Sequence, residues 1–398
     1  GGNAAAEANA STMGDDHAVV VTSTAQGGAG GFFSPTSAIG ASGGAATSQA
    51  VGTAAGNSAV NVTASARGGN NITAFGGGAH ASVFGSNAGA ASVTVSAIAM
   101  GGFGGNSAGA GTADNSTAEA TGLGFGTVLA IASNYAPSGT LPGGYSAASA
   151  TTTGSERARV ISLAHADAAS ASVTARSGVT DAAPNLPMAV DHTSTALATA
   201  RPADADVLTA LAGTDSRLRV AENFDIGGSS TVLGLAVLGA GGSRGTYSAS
   251  VDFALDLEDV INPQRLLLGL LETRASEFAE PAMQFIVAVN GVELVNEAFQ
   301  GPAAANDYFN GHTLDLGEIA LLTADPLAHI LVQLNLQAYT SADDFGFELI
   351  LGNATPVPLP STLGLLAVGL ISVVVAGVRR RWPGVGSRPL AGVAAPAS

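Results

Sequence analysis

The chain has 398 residues, of which only 11% are charged, well below the roughly 25% that is usual for soluble domains. Its net charge is −16, it has no cysteine, and all 14 basic residues are arginines because the sequence contains no lysine. These values exclude disulfide bridges and thiolate chemistry. They also argue against nucleic-acid binding, which needs clustered basic side chains.

The opening residues, GGNAAAEANASTMGDD, contain no initiator methionine and no basic segment followed by an apolar one. A secretory signal peptide is therefore not present there. The C-terminal segment described below is typical of exported proteins, so we expect the chain to be a fragment that begins inside a repeat region.

Residues 1–180 form a low-complexity region rich in Gly, Ala, Ser and Thr. One phrase occurs three times without gaps: VTSTAQGG from Val21, VTASARGG from Val62 and VSAIAMGG from Val95. Small residues alternate with more polar ones in each copy, which favours a strand over a helix. The Gly-Gly pairs predict turns, because glycine adopts positive φ at little cost. A repeated strand and turn indicates a β-solenoid, and a flexible, disordered stalk remains the alternative.

Residues 181–219 change character, since prolines and aspartates become frequent. This composition predicts a linker, with a short helix from about Asp204 to Leu211. Residues 220–353 then carry larger apolar side chains, and their alternating patterns predict an antiparallel β-sandwich of jelly-roll type. We expect six strands there: Thr231–Gly239, Gly245–Leu257, Met283–Val289, Val292–Phe299, His329–Tyr339 and Phe345–Leu351.

Three local signals refine this sandwich. Asn290-Gly291 stands between two predicted strands and is the strongest short hairpin signal. From Val332 onward the pattern places Val332, Leu334, Leu336 and Ala338 on one face and Gln333, Asn335, Gln337 and Tyr339 on the other. The segment RLLLGLLETR, Arg265–Arg274, is compatible with either a helix or a strand.

Residues 354–398 contain three features in a fixed order. The tetrad Val357-Pro358-Leu359-Pro360 is held extended by its two prolines. An apolar span at 361–378 follows, of about the length that crosses a bilayer. Arg379, Arg380 and Arg381 come directly afterwards and predict a cytoplasmic C-terminal end.

This arrangement resembles the PEP-CTERM sorting signals of exported bacterial proteins, which end in Val-Pro-Glu-Pro, a hydrophobic helix and a basic cluster. The resemblance covers about the last 45 residues of the chain. It implies processing by an exosortase-type membrane enzyme and at least transient anchoring in the membrane. Leu359 replaces the usual glutamate, and the tail from Trp382 to Ser398 is longer than such signals usually carry.

Upstream of this segment the sequence offers no catalytic, cofactor-binding or metal-binding motif. The histidines are too widely spaced for an H-x-x-x-H metal motif: His17, His80, His165, His192, His312 and His329. Glycine-rich runs lack the lysine of a phosphate-binding loop.

Acidic residues form two clusters: Asp252, Asp256, Glu258 and Asp259, and then Asp343-Asp344. We interpret them as solvated strand ends, with a calcium site on a loop as the alternative.

These observations favour an exported bacterial surface or extracellular-matrix protein with a structural or adhesive function and no enzymatic activity. The alternative is a carbohydrate-binding β-sandwich of an exopolysaccharide matrix, although the single tryptophan lies in the C-terminal tail. The expected partners are the processing enzyme, the membrane and extracellular polysaccharide, and nucleic acid is not among them.

Overall fold

The structure is a computed structural model. It describes residues 1–31, 41–71, 74–104, 116–126, 128–135, 144–152, 158–165, 169–176, 193–200, 202, 204–212, 214–222, 224, 231–242, 245–256, 265–275, 283–318, 327–339 and 343–354. The chain divides into two compact units, Gly1–Thr355 and Pro356–Ser398. All described residues belong to the first unit, which is mainly β, as predicted.

The strands of this unit form two sheets of ten strands each. Along the first sheet the order is β1 (Ala4–Thr12), β3 (Ala46–Ala54), β5 (Ala79–Asn87), β7 (Ser116–Gly124), β9 (Gly144–Thr152), β11 (Ala169–Arg176), β14 (Gly245–Asp256), β19 (Leu327–Ala338), β16 (Met283–Val289) and β17 (Val292–Phe299). Along the second it is β18 (His312–Gly317), β15 (Arg265–Ala275), β20 (Asp343–Ala354), β13 (Thr231–Gly242), β12 (Thr193–Ala200), β10 (Ala158–His165), β8 (Val128–Tyr135), β6 (Val93–Met100), β4 (Val60–Arg67) and β2 (Val19–Gln26). The described residues also include three helices: α1 (Asp204–Leu211), α2 (Asp215–Ala221) and α3 (Pro302–Phe309).

From β1 to β11 the chain alternates between the two sheets, and neighbouring strands within each sheet run parallel. We call this part the wound region. The phrase that occurs three times lies on β2, β4 and β6, where Val21 pairs with Val62 and Val62 pairs with Val95. Equivalent positions therefore stack in register, with their side chains alternating between interior and solvent.

The interior of the wound region is built from small side chains. On the first sheet Gly52, Gly85 and Gly122 stack on neighbouring strands. A Cβ added at Gly52 would lie 2.6 Å from Val62 Cγ2, and one at Gly85 would lie 2.5 Å from Val95 Cγ1. Valines of one sheet thus fill the space left by glycines of the other, which explains why the valine position recurs in the sequence.

A second set of glycines joins the two sheets along one side of the wound region. Gly28 N–H donates to Gly2 O at 2.8 Å, Gly44 N–H to Gly28 O at 2.8 Å, and the ladder continues to Gly102. We call this set the glycine seam, and its members are Gly2, Gly28, Gly44, Gly69, Gly77 and Gly102. The seam connects segments that leave the second sheet with segments that enter the first.

Close backbone approach explains why Gly44, Gly69, Gly77 and Gly102 are glycine. A Cβ at Gly44 would lie 1.9 Å from Gly2 O, and one at Gly77 would lie 1.9 Å from Gly44 O. Positive φ at described glycines occurs at Gly291, Gly301, Gly311 and Gly317, and not in the seam. The expectation that these Gly-Gly pairs form turns through positive φ is therefore wrong.

Among the described strands from β12 onward, all pairings are antiparallel except that of β14 with β11, which is parallel. We call Thr193–Ala354 the antiparallel region. The six strands predicted there are all present, with ends that differ by at most a few residues. Arg265–Ala275 is a strand, and Asn290 and Gly291, with φ of 48° and 78°, form the predicted hairpin turn.

The antiparallel region packs around an aromatic cluster. The Phe309 ring of α3 lies 4.5 Å from Phe347, 4.9 Å from Phe285 and 5.2 Å from Phe345, measured between ring centroids. All four rings are fully buried. The short helix α3 therefore inserts the Phe309 ring between the two sheets, against Phe285 of the first and Phe345 and Phe347 of the second.

Residues 193–200 fall in the range assigned to a linker, yet β12 pairs with β10 on one side and β13 on the other. Leu197 is fully buried, so the linker prediction is wrong for this segment. Its small Thr and Ala residues lie between proline-rich stretches, which obscured the strand pattern. Helix α1 has the predicted bounds.

Helices α1 and α2 cover the outer face of the second sheet. Val207, Leu211 and Val220 pack on Leu235 and Ile350 of β13 and β20. Arg217 of α2 forms ion pairs with Glu348 at 2.6 Å and Glu272 at 3.0 Å and also donates to Ala210 O. One arginine thus ties both helices to two strands.

Candidate functional site: an uncharged amide groove

The outer face of β14, β19, β16 and β17 carries rows of amide and hydroxyl side chains. Ser248, Asn335 and Gln284 are register neighbours on three adjacent strands. Ser250 and Gln333 form the next row. The alternation predicted for Val332–Ala338 is confirmed, since the apolar members are buried and Gln333, Asn335 and Gln337 point outward.

These side chains are connected by hydrogen bonds across the sheet. Asn335 Oδ1 accepts from Ser248 Oγ at 3.0 Å and from Gln333 Nε2 at 2.9 Å. Asn335 Nδ2 donates to Gln284 Oε1 at 3.5 Å, and Gln284 Nε2 donates to Asn296 Oδ1 at 2.9 Å. The network fixes the orientation of two carboxamides, those of Asn335 and Gln284.

A groove of about 380 Å³ opens beside this network, and we call it the amide groove. Its polar lining comprises one hydroxyl and four carboxamides: Thr246, Gln284, Gln300, Asn335 and Gln337. Its apolar lining comprises the exposed Ala298 and the buried Met283, Phe299 and Leu336. None of these described lining residues is ionisable, so the groove offers hydrogen bonds without charge.

The apolar lining is held from behind by the aromatic cluster. Phe299 packs against Tyr308, with ring centroids 5.1 Å apart, and against Phe309 at 5.6 Å. Burial, with a smaller contribution from the negative charge of Glu297, raises the pKa of Tyr308 to about 12. Tyr308 is therefore a neutral part of the groove's support at physiological pH.

An acid–base pair lies further along the same face. His329 Nδ1 is 3.0 Å from Asp252 Oδ2, and the His329 backbone N–H donates to Asn290 Oδ1 at 2.8 Å. The hairpin turn thus holds His329 beside Asp252. No described nucleophile makes a hydrogen bond to this histidine in the structure, and its contact with Asp252 links the neighbouring strands β14 and β19.

The acidic clusters only partly match the prediction of solvated strand ends. Asp343 is buried, and its Oδ2 accepts from Tyr339 N–H at 2.5 Å, so it closes the connection between β19 and β20. Within the described ranges, no group of three or more His, Asp or Glu side chains is arranged to hold a metal ion. Glu258 and Asp259 lie outside those ranges.

The predicted sorting residues also lie outside the described residues: Val357, Pro358, Leu359, Pro360, Arg379, Arg380 and Arg381. The predicted helix 361–378 lies there as well. Among the described helices, none has the length and apolar character needed to cross a bilayer.

No protein-family model, curated protein or solved structure matches this chain. Sequence reasoning identified the outward amides of β19 but not the groove, because Gln284, Thr246 and Gln300 join it only through strand register and loop position. The alternating Gln and Asn residues of one predicted strand are the signal from which the groove could have been found.

Proposed function

We propose that this chain is an exported bacterial surface or extracellular-matrix protein with a structural or adhesive function. The observation that supports it best is the pair of ten-stranded sheets formed by the described strands of Gly1–Thr355, in a chain with few charged residues. The outward faces of these sheets present rows of hydroxyl and amide groups, as on β3, β4 and β19. The proposal assigns the chain no catalytic activity.

We interpret the wound region as a β-solenoid with two strands per winding, continued by an antiparallel β-sandwich that shares both sheets. In such an architecture each winding contacts chiefly its neighbours, and stability accumulates along the stack. Hydrogen bonding and close packing would then supply the stability that disulfides give to many exported proteins. This arrangement suits a protein whose task is to extend and to adhere.

The proposal assigns export and anchoring to the C-terminal unit. Val357, Pro358, Leu359 and Pro360 would be the motif read by an exosortase-type enzyme, and 361–378 would cross the membrane. Arg379–Arg381 would remain on the cytoplasmic side. The extended tetrad suits a protease, because its prolines keep it out of the helix that follows.

Mass spectrometry of the mature protein from the cell surface tests this assignment. We expect the wild-type chain to lack the residues beyond the Pro358–Pro360 region. A variant with Pro358→Ala and Pro360→Ala should keep Ser398, whereas Pro383→Ala, outside the tetrad, should be processed like the wild type. An intact Ser398 in surface-extracted wild-type protein would refute the sorting assignment.

A second candidate function is carbohydrate binding, and the amide groove is the observation that favours it. A structural role and a saccharide-binding groove are compatible on one chain. Measuring whether the purified protein binds glycans tests for the second function, because a purely structural protein would bind none.

A further inference from the structure

We propose that the amide groove is a binding site for neutral sugar rings, such as those of an uncharged polysaccharide. This proposal depends on the proposed function only for the origin of the polysaccharide. The ligand class itself follows from the residues that line the groove. Three properties support it: the absence of charge, the orientation of the amides, and the size of the space.

The chemistry of the polar lining matches that of hydroxyl groups. A carboxamide carries two N–H donors and a carbonyl acceptor, and a sugar hydroxyl both donates and accepts. Gln337 Oε1 accepts from Thr246 Oγ1 at 3.3 Å, and its Nε2 carries two N–H donors that a ligand hydroxyl can use. Gln284, Gln300 and Asn335 add three further carboxamides to the same space.

The network behind the groove fixes part of this lining before any ligand arrives. Asn335 is held by Ser248 and Gln333, and Gln284 is held between Asn335 and Asn296. Binding then costs less side-chain entropy than it would with mobile amides. Ser248 and Gln333 are therefore positioning residues for the groove.

The apolar lining and the size also fit a sugar. Ala298, which is exposed, offers a small hydrophobic contact for the C–H face of a ring beside the amides that meet its hydroxyls, while Met283, Phe299 and Leu336 are buried beneath the groove. A volume of about 380 Å³ lies at the lower end of the range of small-molecule sites, which is roughly 300–1,000 Å³. The groove thus accommodates about one or two rings rather than a long segment.

Other ligand classes fit less well. An acidic sugar or a phosphate would enter a space with no cationic side chain, and burial of an unpaired charge is costly. A purely apolar ligand would remove water from four carboxamides without replacing their hydrogen bonds. The groove therefore selects for neutral ligands rich in hydroxyl groups.

Calorimetric titration of the full chain in detergent with neutral disaccharides tests the proposal. The probes are cellobiose, maltose, lactose and chitobiose, with digalacturonic acid as the charged comparison. We expect at least one neutral disaccharide to bind with a Kd of about 1 mM, which corresponds to about −4 kcal/mol, and digalacturonic acid to bind at least tenfold more weakly.

Gln337→Glu keeps the side-chain shape, removes the N–H donors and adds a charge, so we expect it to weaken binding about tenfold. Gln49→Glu is the matched control, because Gln49 is an exposed outward residue of the same sheet on β3, several strands from the groove. It should bind like the wild type. Far-ultraviolet circular dichroism of both variants checks that they fold.

Two results would overturn the proposal: no neutral disaccharide binds at 20-fold the expected Kd, about 20 mM, or Gln49→Glu weakens binding as much as Gln337→Glu. Neither result affects the sorting test, which follows the fate of the C-terminal residues. Conversely, an unprocessed tail leaves the sugar measurement unchanged, so the two failures are distinguishable.

Discussion

The wound region and the antiparallel region share two continuous sheets but are packed by opposite means. In the wound region the interior positions are mostly Ala and Val, and glycines permit backbone segments to approach closely. In the antiparallel region Leu and Phe fill the interior, and α3 contributes Phe309 to an aromatic cluster. One pair of sheets thus accommodates both small and large interior side chains.

This difference shows which force dominates in each region. Burial of large apolar side chains supplies much free energy per residue, about 1.5–3 kcal/mol each. Small side chains supply less, so the wound region depends more on backbone hydrogen bonds between its strands and on a repeated register. Substitutions should therefore destabilise the two regions for different reasons. Loss of side-chain volume should destabilise the antiparallel region, and gain of side-chain volume should destabilise the wound region.

The largest expected effect is a loss of volume in the antiparallel region. Phe309→Ala removes a fully buried ring that packs against Phe285, Phe345 and Phe347, and we expect it to lower the free energy of unfolding by about 4 kcal/mol. Phe103→Ala, in the wound region, is the control, because Phe103 is 59% exposed. Denaturant titration measures both. Equal shifts of the unfolding midpoint for the two variants would contradict the comparison.

A gain of volume in the wound region should have a slightly smaller effect. Gly77→Ala places a Cβ 1.9 Å from the Gly44 carbonyl oxygen, so the seam must open, and we expect a loss of about 3 kcal/mol. Gly2→Ala changes a glycine of the same seam whose Cβ would meet nothing within 4 Å. Thermal unfolding of the two variants should differ clearly. If Gly77→Ala is as stable as Gly2→Ala, close backbone approach is not the reason that the seam requires glycine at position 77.

The smallest expected effect concerns pH and sharpens the description of the antiparallel region. Tyr308 has a pKa raised to about 12, against about 10 in an unfolded chain. The unfolded state therefore loses this proton first as pH rises, so the folded state is destabilised between about pH 10 and 12 and unaffected below about pH 10.

Tyr308→Phe removes this contribution. Unfolding midpoints of the wild type and the variant, compared at about pH 9 and about pH 11, should show a smaller decrease for the variant. Groups common to both proteins cancel in the comparison. An identical decrease would show that Tyr308 ionises normally in the folded protein.

Local patterns predicted most of the antiparallel region, because strands with large alternating side chains and an Asn-Gly turn carry strong signals. Thr231–Gly242, Gly245–Asp256 and the hairpin after Val289 are examples. Strand β12 was not foreseen, since a run of Thr and Ala has little hydrophobic contrast. The mainly β class was predictable, whereas the continuity of the sheets across both regions was not.

The amide groove could be anticipated only in part. The outward side of β19 was readable from its alternation, but Gln284 and Thr246 reach the groove through pairing across strands. Register depends on tertiary packing that a single sequence does not encode locally. The seam was missed for a related reason, because Gly-Gly is a turn signal in most contexts, whereas here it serves backbone contact.

The glycine seam divides each winding into a part that carries its two strands and a connection that leads to the next pair of strands. Gly44 and Gly69 are 25 residues apart, as are Gly77 and Gly102, and Gly2 and Gly28 are 26 apart, so the strand-bearing part of these three windings is nearly constant. Gly28 and Gly44 are 16 residues apart, but Gly69 and Gly77 only 8. The uneven repeat spacing thus arises outside the strands, and evolution or a protein engineer can lengthen these connections without disturbing the sheet register.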